Sequence, residues 1–145
     1  MNTPGRDGYG VFNFIQLMIR YGLVVFLGSG LGGLCRWIVS MWISRLTAGW
    51  GSSVFPWGTL VVNVTGCFII GALYGIPDNA AMQLDEKTKL LIGAGFCGGL
   101  TTFSTFTHEN YLLFQSERFP LLALYAAVSL LLGFAAAWAG HSIVR

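Results

Sequence analysis

Charge is scarce in this chain. Only 10% of its 145 residues are Asp, Glu, Lys or Arg, against about a quarter in ordinary soluble domains. Hydrophobic residues make up 54%, and the mean hydropathy is +0.67. That balance excludes a soluble globular domain and predicts a membrane protein. The net charge of +2 comes with no basic stripe and no acidic tail, which leaves nucleic acid without a surface to bind. Cysteine is also sparse. Cys35, Cys67 and Cys97 lie far apart within apolar stretches, with no C-x-x-C pair, so neither a disulfide framework nor a zinc site is expected. They are read as small residues of a membrane core. The N-terminal MNTPGRDGYG has no charged-then-apolar signal pattern and reads as a polar tail. There is no ATP-binding motif either.

What the chain does have is long apolar runs. A spanning helix takes about 20 mostly apolar residues, and four segments qualify: 21–43, 58–76, 88–114 and 121–143. Residues 11–19, VFNFIQLMI, either extend the first helix or lie along the interface, so residues 1–19 are set apart as a tail and 20–145 as a four-helix transmembrane domain. Trp42, Trp50, Trp57 and Tyr111 fall near expected span ends, where amphipathic rings favour the headgroup region. Pro77 and Pro120 punctuate two connections.

An even number of spans puts both termini and the 77–87 loop on one side. That side carries Arg6, Arg20, Lys87, Lys89 and Arg145; the other carries Arg45 and Arg118. The bias leans weakly toward cytoplasmic termini. A preference this faint allows insertion in both directions.

Residues 28–33, GSGLGG, match a dinucleotide-binding glycine pattern. That motif works only between a strand and a helix, with an acid about 20 residues on. Here it lies inside a span, and Ser52, Ser53 and Val54 stand where the acid would be. Gly28 and Gly32, with Ser29 and Gly33, are instead small faces that let helices approach closely. Arg36 follows on that face. An arginine inside a span costs about 2.5–3.5 kcal/mol on insertion scales; it either snorkels to the interface or faces a wet cavity and gathers anions.

In the second span, PWGTLVVNVTG places Thr59, Asn63, Gly66 and Ile70 on one helical face. The Asn63 amide either ties helices together or offers its N–H donors to a permeating ion. The third span holds the most unusual stretch, GFCGGLTTFSTFTHE, residues 95–109. Gly98 and Gly99 followed by two threonines make a poor continuous helix, and a break is expected there. Non-helical backbone at membrane depth is tolerated only when buried in protein or lining water, and such breaks free carbonyls for a cation and N–H groups for an anion. Beyond the break, Phe103 and Phe106 point one way, and Thr101, Ser104, Thr105 and His108 the other. The rings either pack, or turn positive edges to an anion; the hydroxyls either bond back to helix carbonyls or form a polar rail. His108 and Glu109 are either solvated or influence gating. In the fourth span Tyr125, Ser129 and Gly133 repeat every four residues as a mildly polar stripe.

From Gly28 through the fourth span, the chain resembles the Fluc (CrcB) family of fluoride channels. The resemblance rests on GGLCRW around Arg36, GTLVVNVTG around Asn63 and, above all, GFCGGLTTFSTFTHE. It implies an all-α membrane protein whose third helix is broken, paired as an antiparallel, dual-topology homodimer in the bacterial inner membrane, with two fluoride paths at the subunit interface. It further implies a structural sodium ion at the dimer centre, held by backbone carbonyls of Gly98 and Thr101. Phe103 and Phe106 match the phenylalanines that contact fluoride, and Asn63 the pore asparagine. Ser104, Thr105 and Thr59 match a hydroxyl track, Arg36 a vestibule arginine, and Tyr125, Ser129 and Glu109 pore-associated positions. Gly133 and Ala137 depart from the family, which often carries Ser and Thr there.

The expected activity is passive fluoride flux, not pumping and not catalysis. Two rivals stand beside it. A small proton-coupled exporter of organic cations wants a carboxylate in its first span, and residues 21–43 contain none. A non-transporting assembly subunit would use the polar residues only as glue between helices.

Overall fold

A computed structural model describes residues 6–48, 55–77 and 84–145, with side chains from residue 12 onward. Trp50, residues 1–5 of the tail, residues 52–54 and most of the 77–87 loop lie outside the described residues. Four helices in it are long and apolar enough to cross a membrane, and among the described residues there is no strand. The protein is an integral, all-α membrane protein.

Helix α1 runs Arg6–Thr47, α2 Trp57–Gly75 and α5 Phe119–Ile143. The third span is two helices. Its first half, α3, starts with an α-helical turn at Glu86–Lys89, widens into a π-helix over Leu90–Cys97 and closes with Gly98–Leu100. Its second half, α4, is Phe103–Gln115. The four expected spans are all present. The helix that holds the first span begins ahead of it, at Arg6. No proline interrupts 6–47, and isolated glycines cost a helix only about 1 kcal/mol each, so the chain simply stays helical.

Helix ends follow local chemistry. Ile76 precedes Pro77, whose ring disfavours helix in the residue before it, and Ile76 is extended at φ −66, ψ 120. Asp85 caps α3, its carboxylate accepting from the Thr88 backbone N–H at 3.3 Å. After α4, Glu117 takes a left-handed φ of 56° and turns the chain into α5, whose first turn holds Pro120.

Small residues fix the packing. A Cβ at Gly71 would stand 2.0 Å from the Ala137 carbonyl oxygen, and one at Gly140 would stand 2.2 Å from that of Phe68, so α2 and α5 touch backbone to backbone. The same holds for α1 and α3: a Cβ would lie 2.5 Å from the Leu91 oxygen at Gly28 and 2.1 Å from the Phe96 oxygen at Gly32. Gly99 answers from the other side, 2.4 Å from the Ser29 oxygen by the same construction. The GSGLGG stretch is therefore a close-packing face. Outside these contacts α1 and α5 present large apolar side chains such as Phe26, Leu130 and Phe134, as lipid-facing helices do.

Candidate functional site

The third span breaks at Thr101 (φ −85, ψ 159) and Thr102 (φ −151, ψ 117), both extended. The break falls two residues beyond the glycine pair that signalled it. Gly98 and Gly99 stay helical because Gly99 is wedged against α1; the two threonines take the turn instead. The Thr102 N–H, which would close the next helical turn onto the Gly98 carbonyl, goes to Asn63 Oδ1 at 2.8 Å. Asn63 Nδ2 returns a bond to the Thr102 carbonyl at 3.3 Å. Arg36 Nη1 donates to the Thr101 carbonyl at 3.4 Å, and the Thr101 hydroxyl donates to the Cys97 carbonyl at 2.9 Å. The backbone groups of Thr102 and the Thr101 carbonyl are thus paired by protein.

Thr102 also starts the next helix. Its Oγ1 accepts from the Thr105 N–H at 3.2 Å and donates to Thr105 Oγ1 at 3.0 Å, with Ser104 Oγ 3.2 Å away. This is a threonine N-cap, and it draws Ser104 and Thr105 into one hydroxyl cluster.

Two cavities have this cap in their linings. The first, about 650 Å³, is lined by Arg36, Ser40, Ser44, Thr59, Thr105 and Glu109 among others. The second, about 510 Å³, is lined by Asn63, Cys67, Phe103, Phe106 and Ser129 among others. Thr102 borders both. Arg36 meets the broken backbone at Thr101 and lines the first cavity. Asn63 carries out its structural role while also lining the second cavity.

Glu109 is held from two helices. Its Oε1 accepts from Thr59 Oγ1 and its Oε2 from the Tyr125 hydroxyl, each at 2.7 Å. Tyr125 is fully buried and lines neither cavity itself; its hydroxyl meets Glu109, which lines the first. Ser129 Oγ is buried without a partner among the described residues and lines the second cavity. The gap at Gly133 is met by sulfur: Cys67 Sγ lies 3.4 Å from where a Gly133 Cβ would be. Ala137 also lines the second cavity.

The phenylalanines divide. Phe106 packs against the core cluster of Leu60, Leu113 and Tyr125, 5.1 Å from the Tyr125 ring centroid. Phe103, 6.1 Å from Phe106 by ring centroids, is 80% exposed. His108 is exposed and lines neither cavity. The Gly98 carbonyl loses its helical partner at the break, whereas the Thr101 carbonyl is shared with Arg36.

Sequence reasoning missed Thr102 as the cap, and Ser40 and Ser44 as cavity lining. The four-residue steps from Arg36 to Ser40 to Ser44 were a readable signal. The cap was hidden by the stronger glycine signal upstream.

A span broken at depth, its open backbone paired by an asparagine and an arginine and flanked by two cavities, defines a membrane transport protein. A family profile for CrcB-like protein, Camphor Resistance (CrcB), matches residues 23–141. The chain is 39% identical over 128 residues to a protein of Azobacteroides pseudotrichonymphae genomovar. CFP2 named "Fluoride-specific ion channel FluC", covering 88% of this chain and 98% of that one. Proteins of the same name from Gloeobacter violaceus and Serratia proteamaculans are 40% and 44% identical, over 86% and 81% of this chain and 95% and 85% of theirs. The chain belongs to the CrcB family.

Proposed function

We propose that this protein is a passive, fluoride-selective channel of the bacterial plasma membrane, through which cytoplasmic fluoride leaves the cell. The observation that carries the reading is the position of Thr102, which borders both cavities. An anion entering beside Arg36 would meet the Thr102–Thr105 hydroxyls, then the Asn63 amide and the phenyl rings. Fluoride is small and tightly hydrated, so a path must replace its water with many donors in a narrow space. Amide and hydroxyl donors with ring edges do this without a fixed cation in the narrow part. Binding there is strong enough to admit the ion and weak enough to release it. Arg36, at the wider end, raises the local anion concentration. An inside-negative potential favours exit by about 2.3 kcal/mol per charge per 100 mV.

The partner in this proposal is a second, antiparallel copy, which closes each path against the face that carries the exposed Phe103. Thr59, Ser104, Thr105, Ser129 and Tyr125 serve the path, the last through Glu109. A structural sodium ion at the dimer centre fits the carbonyl chemistry at the break. The Gly98 oxygen is released from the helical ladder, and the Thr101 oxygen keeps a second lone pair beside Arg36. Sodium bound there would tie two copies of the break together.

The test is purified protein in liposomes loaded with fluoride, read with a fluoride electrode when a membrane potential is imposed. Fluoride efflux is expected without a proton gradient, with chloride retained. Efflux that required an imposed proton gradient would overturn the channel reading.

A further inference from the structure

We infer that residues 12–20 of α1 form a separate anchoring segment. It lies along the headgroup–acyl boundary of the bilayer and bends away from the spanning part of α1 at Gly22. The inference goes beyond the channel reading, because the family match begins only at residue 23.

Length comes first. The apolar stretch from Phe12 to Ile43 would measure about 48 Å as one straight helix at 1.5 Å per residue, against a hydrocarbon core of about 30 Å. Spanning it straight would demand a tilt of about 50°, outside the roughly 0–40° range of membrane helices. The rest of the bundle forbids that tilt. α1 is clamped to α3 through Gly28 and Gly32 and to α2 where Gly58 meets Ser40, and α2 has only 19 residues.

The same contacts mark the membrane border. Leu91 sits against Gly28 and Phe96 against Gly32, so α1 and α3 advance side by side. With Gly95 against Gly28 and the π-helix between, the charged turn Glu86–Lys89 is level with roughly residues 20–24 of α1. Residues 12–19 lie beyond it, on the wet side.

They are nevertheless unfit for water. Phe12, Phe14, Ile15, Leu17, Met18 and Ile19 are all exposed. The polar residues of the segment are Asn13, Gln16 and Arg20, whose spacing of three and four places them in one narrow stripe along the helix. A helix with a wide apolar face and a thin polar stripe ending in a cation can bury that face among acyl chains and turn the stripe and the Arg20 head toward the headgroups. α1 runs through Gly22 as one helix, and Gly22 is the position in it where the proposed bend would cost least. Nothing lies within 4 Å of a Cβ built there, and glycine is the weak point of a helix interior.

Photo-crosslinking in the full-length protein tests this. Benzoylphenylalanine is placed singly at positions 13, 14, 16 and 18, and the protein is reconstituted in phosphatidylethanolamine–phosphatidylglycerol vesicles and checked for monodispersity after re-extraction. Positions 14 and 18 are expected to give acyl-chain adducts several-fold more often than positions 13 and 16. Equal lipid adducts at all four positions would mean a helix immersed all round, and would overturn the inference. So would adducts to a second copy of the chain in place of lipid, or no lipid adducts at all. Gly22→Leu keeps the site testable in a second way: a stiffened bend is expected to lower acyl adducts at position 14, and an unchanged pattern would remove Gly22 as the hinge.

Discussion

The two halves of the third span obey opposite rules. α3 is locked by shape: glycine faces press its backbone onto α1, and a side chain at Gly32 or Gly99 would strike a carbonyl oxygen. α4 is locked by hydrogen bonds at a few points: the Thr102 cap, the Asn63 pair, and Glu109 between Thr59 and Tyr125. Much of its surface, Phe103 above all, is open. A scaffold can be dry and tight, because nothing moves through it. In the proposed channel α4 is the wall of the path, where donors must lie close to a passing ion, and it is held by a small number of polar contacts.

The difference can be broken from either side, and the scaffold should break hardest. Gly32→Leu forces a branched side chain into the Phe96 backbone. Overpacking costs about 1–3 kcal/mol where side chains can adjust, and backbone cannot yield as cheaply. Loss of monodisperse protein on size exclusion is expected. Asn63→Ala comes next. It strips both partners from Thr102, and each unsatisfied buried group costs about 1–3 kcal/mol. A lower thermal midpoint in detergent is expected together with loss of flux, whereas flux at the native rate would show that the Asn63 pair is dispensable. Thr102→Ala removes the cap, worth about 1 kcal/mol, together with the hydroxyl that joins Ser104 and Thr105; flux should fall with assembly unchanged, read by efflux and size exclusion on one preparation.

The smallest effect lies at the outer end of α3. The Thr88 hydrogen bond holds the Asp85 carboxyl below its ordinary range. A depressed folded value stabilises the folded form above the unfolded value of about 3.9 and loses that contribution as pH falls through the folded value. The protection factor of the Thr88 backbone amide, its exchange rate set against the intrinsic rate at the same pH, should therefore fall below about pH 4, and Asp85→Asn should flatten that response while leaving the span intact.

How much of this was legible before the structure follows the same division. The four spans were plain, because about 20 apolar residues in a row admit few alternatives. The close approach at Gly28 and Gly32 could be read from glycine spacing alone. The break falls within the expected stretch, and which part of it breaks is instructive. Glycines signal weak helix, but tertiary packing of Gly99 on Ser29 overrode the local preference and moved the turn onto Thr101 and Thr102. Contacts between distant positions were not legible. That Glu109 would collect Thr59 from α2 and Tyr125 from α5 depends on how three helices meet, and no spacing within one helix states it. Nor does a four-residue stripe reveal that Cys67 sulfur would fill the gap at Gly133.

The central claim is that the polar wall at the break carries a dehydrated anion past Phe103 and Phe106. The most direct measurement is fluoride efflux from liposomes holding the Phe103→Ile, Phe106→Ile double variant, beside the unaltered protein and with equal monodispersity. Isoleucine keeps bulk and apolarity but has no ring edge. The account expects the unaltered protein to release fluoride and the double variant to retain it while still assembling. Undiminished efflux through the double variant would contradict it.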